Sequence, residues 1–229
     1  MPHAAWLVRR GDEVLAEHDA ERMFSSASMI KTFVLARALE RGGLEDEVAV
    51  TERVDGDGVL KLLDLPVRRP LKELLALMVA ISDNTATRAV VEAMGGAEEI
   101  NAWLAARGFA SRVLGGEAPG LPSRPGLGAT SPAEHERVLR DMPAEGLELL
   151  REQQDRRSLA RLLDEDVPLA HKTGTIDRAR HDGGVVLGEV PLYVQAFTDG
   201  GPEKEWVDHP ACVGMGIAME ETLRWVASR

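Results

Sequence analysis

One cysteine, one tyrosine, two asparagines and five lysines are all that this chain of 229 residues holds of those types. A lone Cys212 excludes an intrachain disulfide framework and any Cys-rich metal site, and reads as a small buried hydrophobe. No stretch approaches the roughly 18 apolar residues a membrane helix needs. The first apolar run, Ala4 to Val8, is stopped by Arg9 and Arg10 and is too short for a secretory leader. As the sequence stands, the expectation is a cytoplasmic protein, exported only if a leader precedes it. His-x-His and His-Glu-x-x-His spacings are absent, and no glycine-rich phosphate loop follows a strand pattern, so no metal and no cofactor are expected. Positive charge is short as well: 27 basic against 38 acidic side chains leave a net charge of −11. Such a field repels phosphate, which excludes nucleic acid and anionic membranes as partners.

What is present belongs to an ordinary globular protein, with 44% apolar and 28% charged residues. Ala5–Arg9 and Glu13–Glu17 flank Gly11-Asp12 and predict a hairpin. Helices are then expected over 29–41, 71–81, 85–94, 97–107, from Ser131 to about Asp141, 145–154 and 158–163. The second is apolar on nearly every side, as a buried central helix should be. Ser131-Pro132-Ala133-Glu134 has the form of a capping box with proline at the first helical position. Residues 113–130, rich in Gly and Pro, predict a long loop between helices, functional or disordered. Strands return over 170–176, 184–187 and 192–198, before a final helix over about 208–227. The expected class is α+β. One antiparallel sheet is drawn from both termini (residues 1–27 and 168–229), and an all-helical lobe (28–167) is inserted between them, with a site in the crevice.

Three short strings carry the chemistry: Ser28-Met29-Ile30-Lys31, Ser82-Asp83-Asn84 and Lys172-Thr173-Gly174. Each alone reads as a helix cap or a polar strand end, but their joint chance occurrence is on the order of one in 10⁵. Ser28 and Lys31, three apart at a helix start, share one face, so an amine can reach the hydroxyl. Desolvation and a neighbouring Lys172 would make that amine neutral enough to act as a base. The helix start offers an amide and a positive dipole where an oxyanion develops.

In this order the trio resembles the serine β-lactamase and penicillin-binding-protein superfamily. Asp55 to Leu60, Leu74 to Thr87, Thr130-Ser131-Pro132, Gln153 to Arg156 and His171 through Arg180-His181-Asp182-Gly183-Gly184 extend the likeness to the class A β-lactamase-related serine hydrolases. That resemblance implies an αβα sandwich beside the helical lobe and an acyl-enzyme on Ser28, with Lys31 as base. It implies that Ser82 relays a proton to the leaving group, that Asn84 bonds the substrate amide, and that Lys172 with Thr173 and Gly174 holds a substrate carboxylate. Thr175 would supply the second oxyanion amide. Glu117 is the implied deacylating base, although Glu117-Ala118-Pro119-Gly120-Leu121 departs from the family's Glu-x-x-Leu-Asn loop. Of the neighbouring residues, His181 and Asp182 either line the cleft or close a turn, the turn being expected, and Arg178 and Arg180 either bind a carboxylate or, as expected, are exposed arginines after a strand. The expected partner is a small molecule bearing a carboxylate and an amide or ester, taken by a monomer. A β-lactam, a D-alanyl peptide or ester, and an idle penicillin-binding module all stay open.

Overall fold

The computed structural model describes residues 3–113, 128–164, 166–176 and 179–199. In chain order the elements are β1 (His3–Arg10), β2 (Glu13–His18), β3 (Phe24–Ser25), a 3-10 turn (Ala27–Met29), α1 (Ile30–Arg41), β4 (Glu47–Val50), a 3-10 turn (Leu60–Leu62) and β5 (Val67–Pro70). There follow α2 (Leu71–Ala80), α3 (Asn84–Ala93), α4 (Ala97–Ala106), β6 (Ala129–Thr130), α5 (Pro132–Arg140) and α6 (Ala144–Arg151). A 3-10 turn (Leu159–Leu162) leads into β7 (Leu169–Ile176), β8 (Ala179–Val186) and β9 (Leu192–Asp199).

Both ends of the described chain meet in one antiparallel sheet of order β2-β1-β9-β8-β7. Ala5 pairs with Phe197 and Val8 with Val194, so the first hairpin joins the last strands directly, as the flanking β patterns imply. β7 is left at the edge, with one side of its backbone turned away from β8. Two short ladders, β3 with β6 and β4 with β5, escape the sequence pattern because strands of two to four residues have no periodicity to detect. The predicted helix over 158–163 is a 3-10 turn instead, and the predicted strand over 184–187 begins five residues earlier, at Ala179.

The main core centres on α2, whose Leu71, Leu74, Leu75, Met78 and Val79 are buried beside Phe33 and Leu35 of α1, and it runs on to Ala170 of β7 and Val185 of β8. Burial of each such side chain contributes roughly 1.5–3 kcal/mol. α5 joins this core to the sheet. Its His135 reaches Gln195 of β9 and Thr32 of α1. The close approach requires Gly183, where a Cβ would collide with Gln195 Oε1 and lie 2.7 Å from His135 Nδ1. The capping box is half realised: Ser131 Oγ accepts from Glu134 N at 3.2 Å. The Glu134 carboxylate turns away to accept from Ala110 N and Ser111 N, each at 2.6 Å, and ties the end of α4 to the start of α5.

Candidate active site

The crevice between β7 and the helical region is a cavity of about 680 Å³ lined by Ser28, Asp57, Ser82, Thr173, Thr175 and Arg180, among others. Ser28 stands in the 3-10 turn immediately before α1, and Lys31 in the first turn of that helix. Lys31 Nζ lies 3.0 Å from Ser28 Oγ, 2.9 Å from Ser82 Oγ, 2.7 Å from Ser82 O and 2.8 Å from Asn84 Oδ1. Carbonyl oxygens only accept, so Ser82 O and Asn84 Oδ1 take two of the amine's hydrogens. The remaining direction faces two hydroxyls, one of them that of Ser28. A neutral amine would point its lone pair there.

Burial, and then the positive charge of Lys172, lower the Lys31 pKa to about 7, against the opposing pull of Asp57 and Asp83. Lys172 is wholly buried. Its Nζ donates to Thr173 O at 2.9 Å and reaches Ser82 Oγ at 3.3 Å. Burial lowers its pKa to about 8, opposed by Asp182, Asp155 and Asp57. The Ser82 hydroxyl thus bridges two buried amines of depressed basicity.

Local backbone geometry aims these groups. Ser82 has φ +59, a left-handed conformation that an L residue adopts at a cost of about 1 kcal/mol or more. The bend lies between α2 and α3, and it turns both the carbonyl and the hydroxyl of Ser82 onto Lys31. Asp83 anchors it from the other side. Its buried carboxylate accepts from Ala86 N, Val59 N and Leu60 N at 2.8, 2.7 and 2.9 Å, so it caps α3 and holds residues 59–60 against it. Sequence reasoning missed that clamp, although an aspartate directly before a helix is its usual signal.

Gly174 permits the approach of β7 to the turn bearing Ser28. A Cβ there would lie 3.0 Å from Met29 Cγ, 3.1 Å from Ser26 O and 3.2 Å from Ala27 Cβ. Gly174→Ala is therefore expected to push the turn outward by a few tenths of an ångström and lower kcat/KM on any working substrate about tenfold or more. Melting should move by only a few degrees, so equal losses of activity and folded fraction would contradict it.

Asn84 is already engaged, because its Nδ2 donates to Asp55 O at 3.0 Å while its Oδ1 meets Lys31. Thr173 and Thr175 face the cavity from the edge strand. Glu117, Arg178, Cys212 and the helix expected over 208–227 lie outside the described residues. Two expectations need correction. His181 and Asp182 close no turn; they sit buried within β8, where His181 Nε2 donates to Ser25 O and Asp182 accepts from His171 Nδ1 at 2.9 Å. Arg180 is not exposed. It is buried in β8 and donates to Ser158 Oγ, Thr175 Oγ1 and Asp155 at 2.8, 2.9 and 3.1 Å.

Asp155 also pairs with Arg157 at 2.8 Å. Burial pushes its carboxyl upward, but Arg157 and Arg180 outweigh that and hold it well below the usual carboxylate range. The Asp155–Arg180–Thr175 chain was not visible in the sequence, because only the β7–β8 register brings Thr175 opposite Arg180.

An antiparallel sheet built from both ends, a helical region against it and a serine–lysine pair in the crevice make up the β-lactamase fold. The chain belongs to the Beta-lactamase enzyme family, whose profile matches residues 5–211. No curated protein matches it. Among solved structures, a β-lactamase from Sphaerobacter thermophilus is 22% identical with a TM-score of 0.81, over 96% of this chain and 91% of that one. A β-lactamase from Xanthomonas campestris is 17% identical with a TM-score of 0.83, over 96% and 92%. PBP-A, as a mutant in an acyl-enzyme complex with penicillin G, is 20% identical with a TM-score of 0.82, over 97% and 91%. At such identities the likeness establishes the fold.

Proposed function

We propose that this chain is a serine hydrolase that opens a β-lactam or a related amide or ester through an acyl-enzyme on Ser28. The contact between Lys31 Nζ and Ser28 Oγ at 3.0 Å carries the reading, since it joins a nucleophile to a buried amine that is substantially neutral near pH 7. Lys31 takes the hydroxyl proton as Ser28 Oγ attacks the carbonyl carbon. The oxyanion forms at the helix start, facing the edge strand at Thr175. As the C–N bond breaks, Ser82 Oγ gives its proton to the leaving nitrogen and is reprotonated from Lys31, to which it lies within 2.9 Å. Lys172 and Thr173 receive the substrate carboxylate, and Asn84 receives the amide of the acyl side. Water then releases the acid and returns Ser28.

The similar solved structures include β-lactamases and a PBP-A mutant held as an acyl-enzyme with penicillin G, and turnover and lasting acylation are the two outcomes to separate. Incubation with a chromogenic cephalosporin and with penicillin, followed by colour and intact mass, separates them. The expected result is a gain of one β-lactam mass, transient or lasting, that is absent in Ser28→Ala. Neither colour nor adduct, with hydrolysis of simple esters retained, would sink the β-lactam reading.

A further inference from the structure

Resting on that reading, we propose that Asp57 selects substrates whose acyl side chain carries a positively charged amine. Asp57 is exposed and lines the same cavity as Ser28. Its backbone is fixed: Asp57 O accepts from Asn84 N at 3.1 Å, and Asp55 O accepts from Asn84 Nδ2 at 3.0 Å. Asp83 holds the next turn through Val59 N and Leu60 N. The carboxylate is therefore presented beside Asn84, the residue assigned to the substrate's acyl-side amide.

That carboxylate makes no hydrogen bond or ion pair with any described residue. Asp155, the other acid of the cavity wall, is occupied by Arg157 and Arg180. The nearby Lys61 ammonium bonds the Gly56 carbonyl instead. Lys31 and Lys172 feel the field of Asp57, but both are buried and hydrogen-bonded elsewhere. The cleft is consequently graded in charge. Its β7–β8 wall carries Lys172 and Arg180, with Arg157 beside it and Asp155 bridging the two guanidiniums, which leaves one more cation than anion there, and its rim beside Asn84 is negative. A substrate with a carboxylate on the leaving side and an ammonium on the acyl side matches that gradient.

Three penicillins that share one bicyclic nucleus and a phenylacetyl side chain test this: ampicillin with an α-ammonium, benzylpenicillin with no α-charge, and carbenicillin with an α-carboxylate. Second-order acylation rates, read by intact mass at pH 7, should fall in that order by roughly threefold or more at each step, the range of a partly exposed ion pair. Asp57→Asn should bring the ratios close to one, and Asp57→Lys should reverse the order, with melting curves showing both variants folded. Equal wild-type rates, or an order that persists in Asp57→Asn, would overturn the inference. So would slower adduct release from Asp57→Asn with all three alike, which would make Asp57 an activator of water. Acylation by none of the three removes the hydrolase reading itself, and the inference with it, an outcome distinct from acylation without ranking.

Discussion

Replacing Lys31 by methionine should slow acylation of Ser28 by about a thousandfold, the usual loss when a positioned general base is removed. Methionine is close in volume but leaves Ser82 O and Asn84 Oδ1 without their donor, so a melting curve accompanies the time course of intact mass with excess penicillin. Lys31→Arg should not restore the rate, because a guanidinium keeps its charge and has no lone pair to offer. Recovery with arginine would show that positive charge, and not proton abstraction, is what the position supplies. The wild-type pH profile is the companion test. kcat/KM should rise as Lys31 loses its proton through about pH 7, and fall as Lys172 loses its own through about pH 8. The optimum therefore lies between those values. A profile flat from pH 6 to 9 would exclude Lys31 as the base.

A second large effect concerns folding in acid. Burial lowers the pKa of both His135 and His181 to about 4, from an ordinary value of 6.5. Their hydrogen bonds show why the proton is refused. His181 Nε2 donates to Ser25 O, while Nδ1 accepts from Thr198 N at 3.2 Å, so a second ring proton would face a backbone N–H. His135 donates from Nδ1 to Gln195 Oε1 at 2.6 Å and accepts at Nε2 from Thr32 Oγ1 at 3.1 Å. Below pH 6.5 the unfolded chain binds protons that the native protein does not, so stability is complete above that pH and is lost as the pH falls toward 4. Each histidine accounts for about 3 kcal/mol over that interval. The two together rival the whole stability of a typical domain, about 5–15 kcal/mol. Urea unfolding at pH 7, 5.5 and 4.5 should show that decline, and a constant unfolding free energy from pH 7 to 4.5 would contradict it.

The two histidines mark where sequence reasoning stops. Ser28, Lys31, Ser82 and Lys172 were legible because each sits in a short string whose chemistry is local, and the sheet ends were legible from β-rich segments at both ends. The position of His181 depends on strand register, which no local pattern encodes. Arg180 was read as a surface residue because a buried guanidinium is exceptional unless paired, and its partner Asp155 lies 25 residues away. For Asp83 the sequence offered no more than a share in a helix cap. In space it is the clamp that lets Ser82 hold its left-handed bend and keeps residues 59–60 in place. Of the loop expected over 113–130, residues 114–127 lie outside the described residues, and Ala129–Thr130 form β6, with Ala129 also bridged to Arg112.

The pairing of β1 with β9 also sets a timetable for synthesis. Ala5 cannot meet Phe197 until the ribosome has passed β9, roughly ten seconds or more later at ordinary translation rates. Most of the core residues around α2 are made before β9, but Ala170 of β7 and Val185 of β8 complete that core. Ser28 and Lys31 are therefore translated long before the Lys172 wall they face, and the crevice comes into being only when β7, β8 and β9 dock. A hairpin waiting that long with β1 unpaired on one side is a template for the wrong partner. The two arginines that end β1, Arg9 and Arg10, place charge on that open strand.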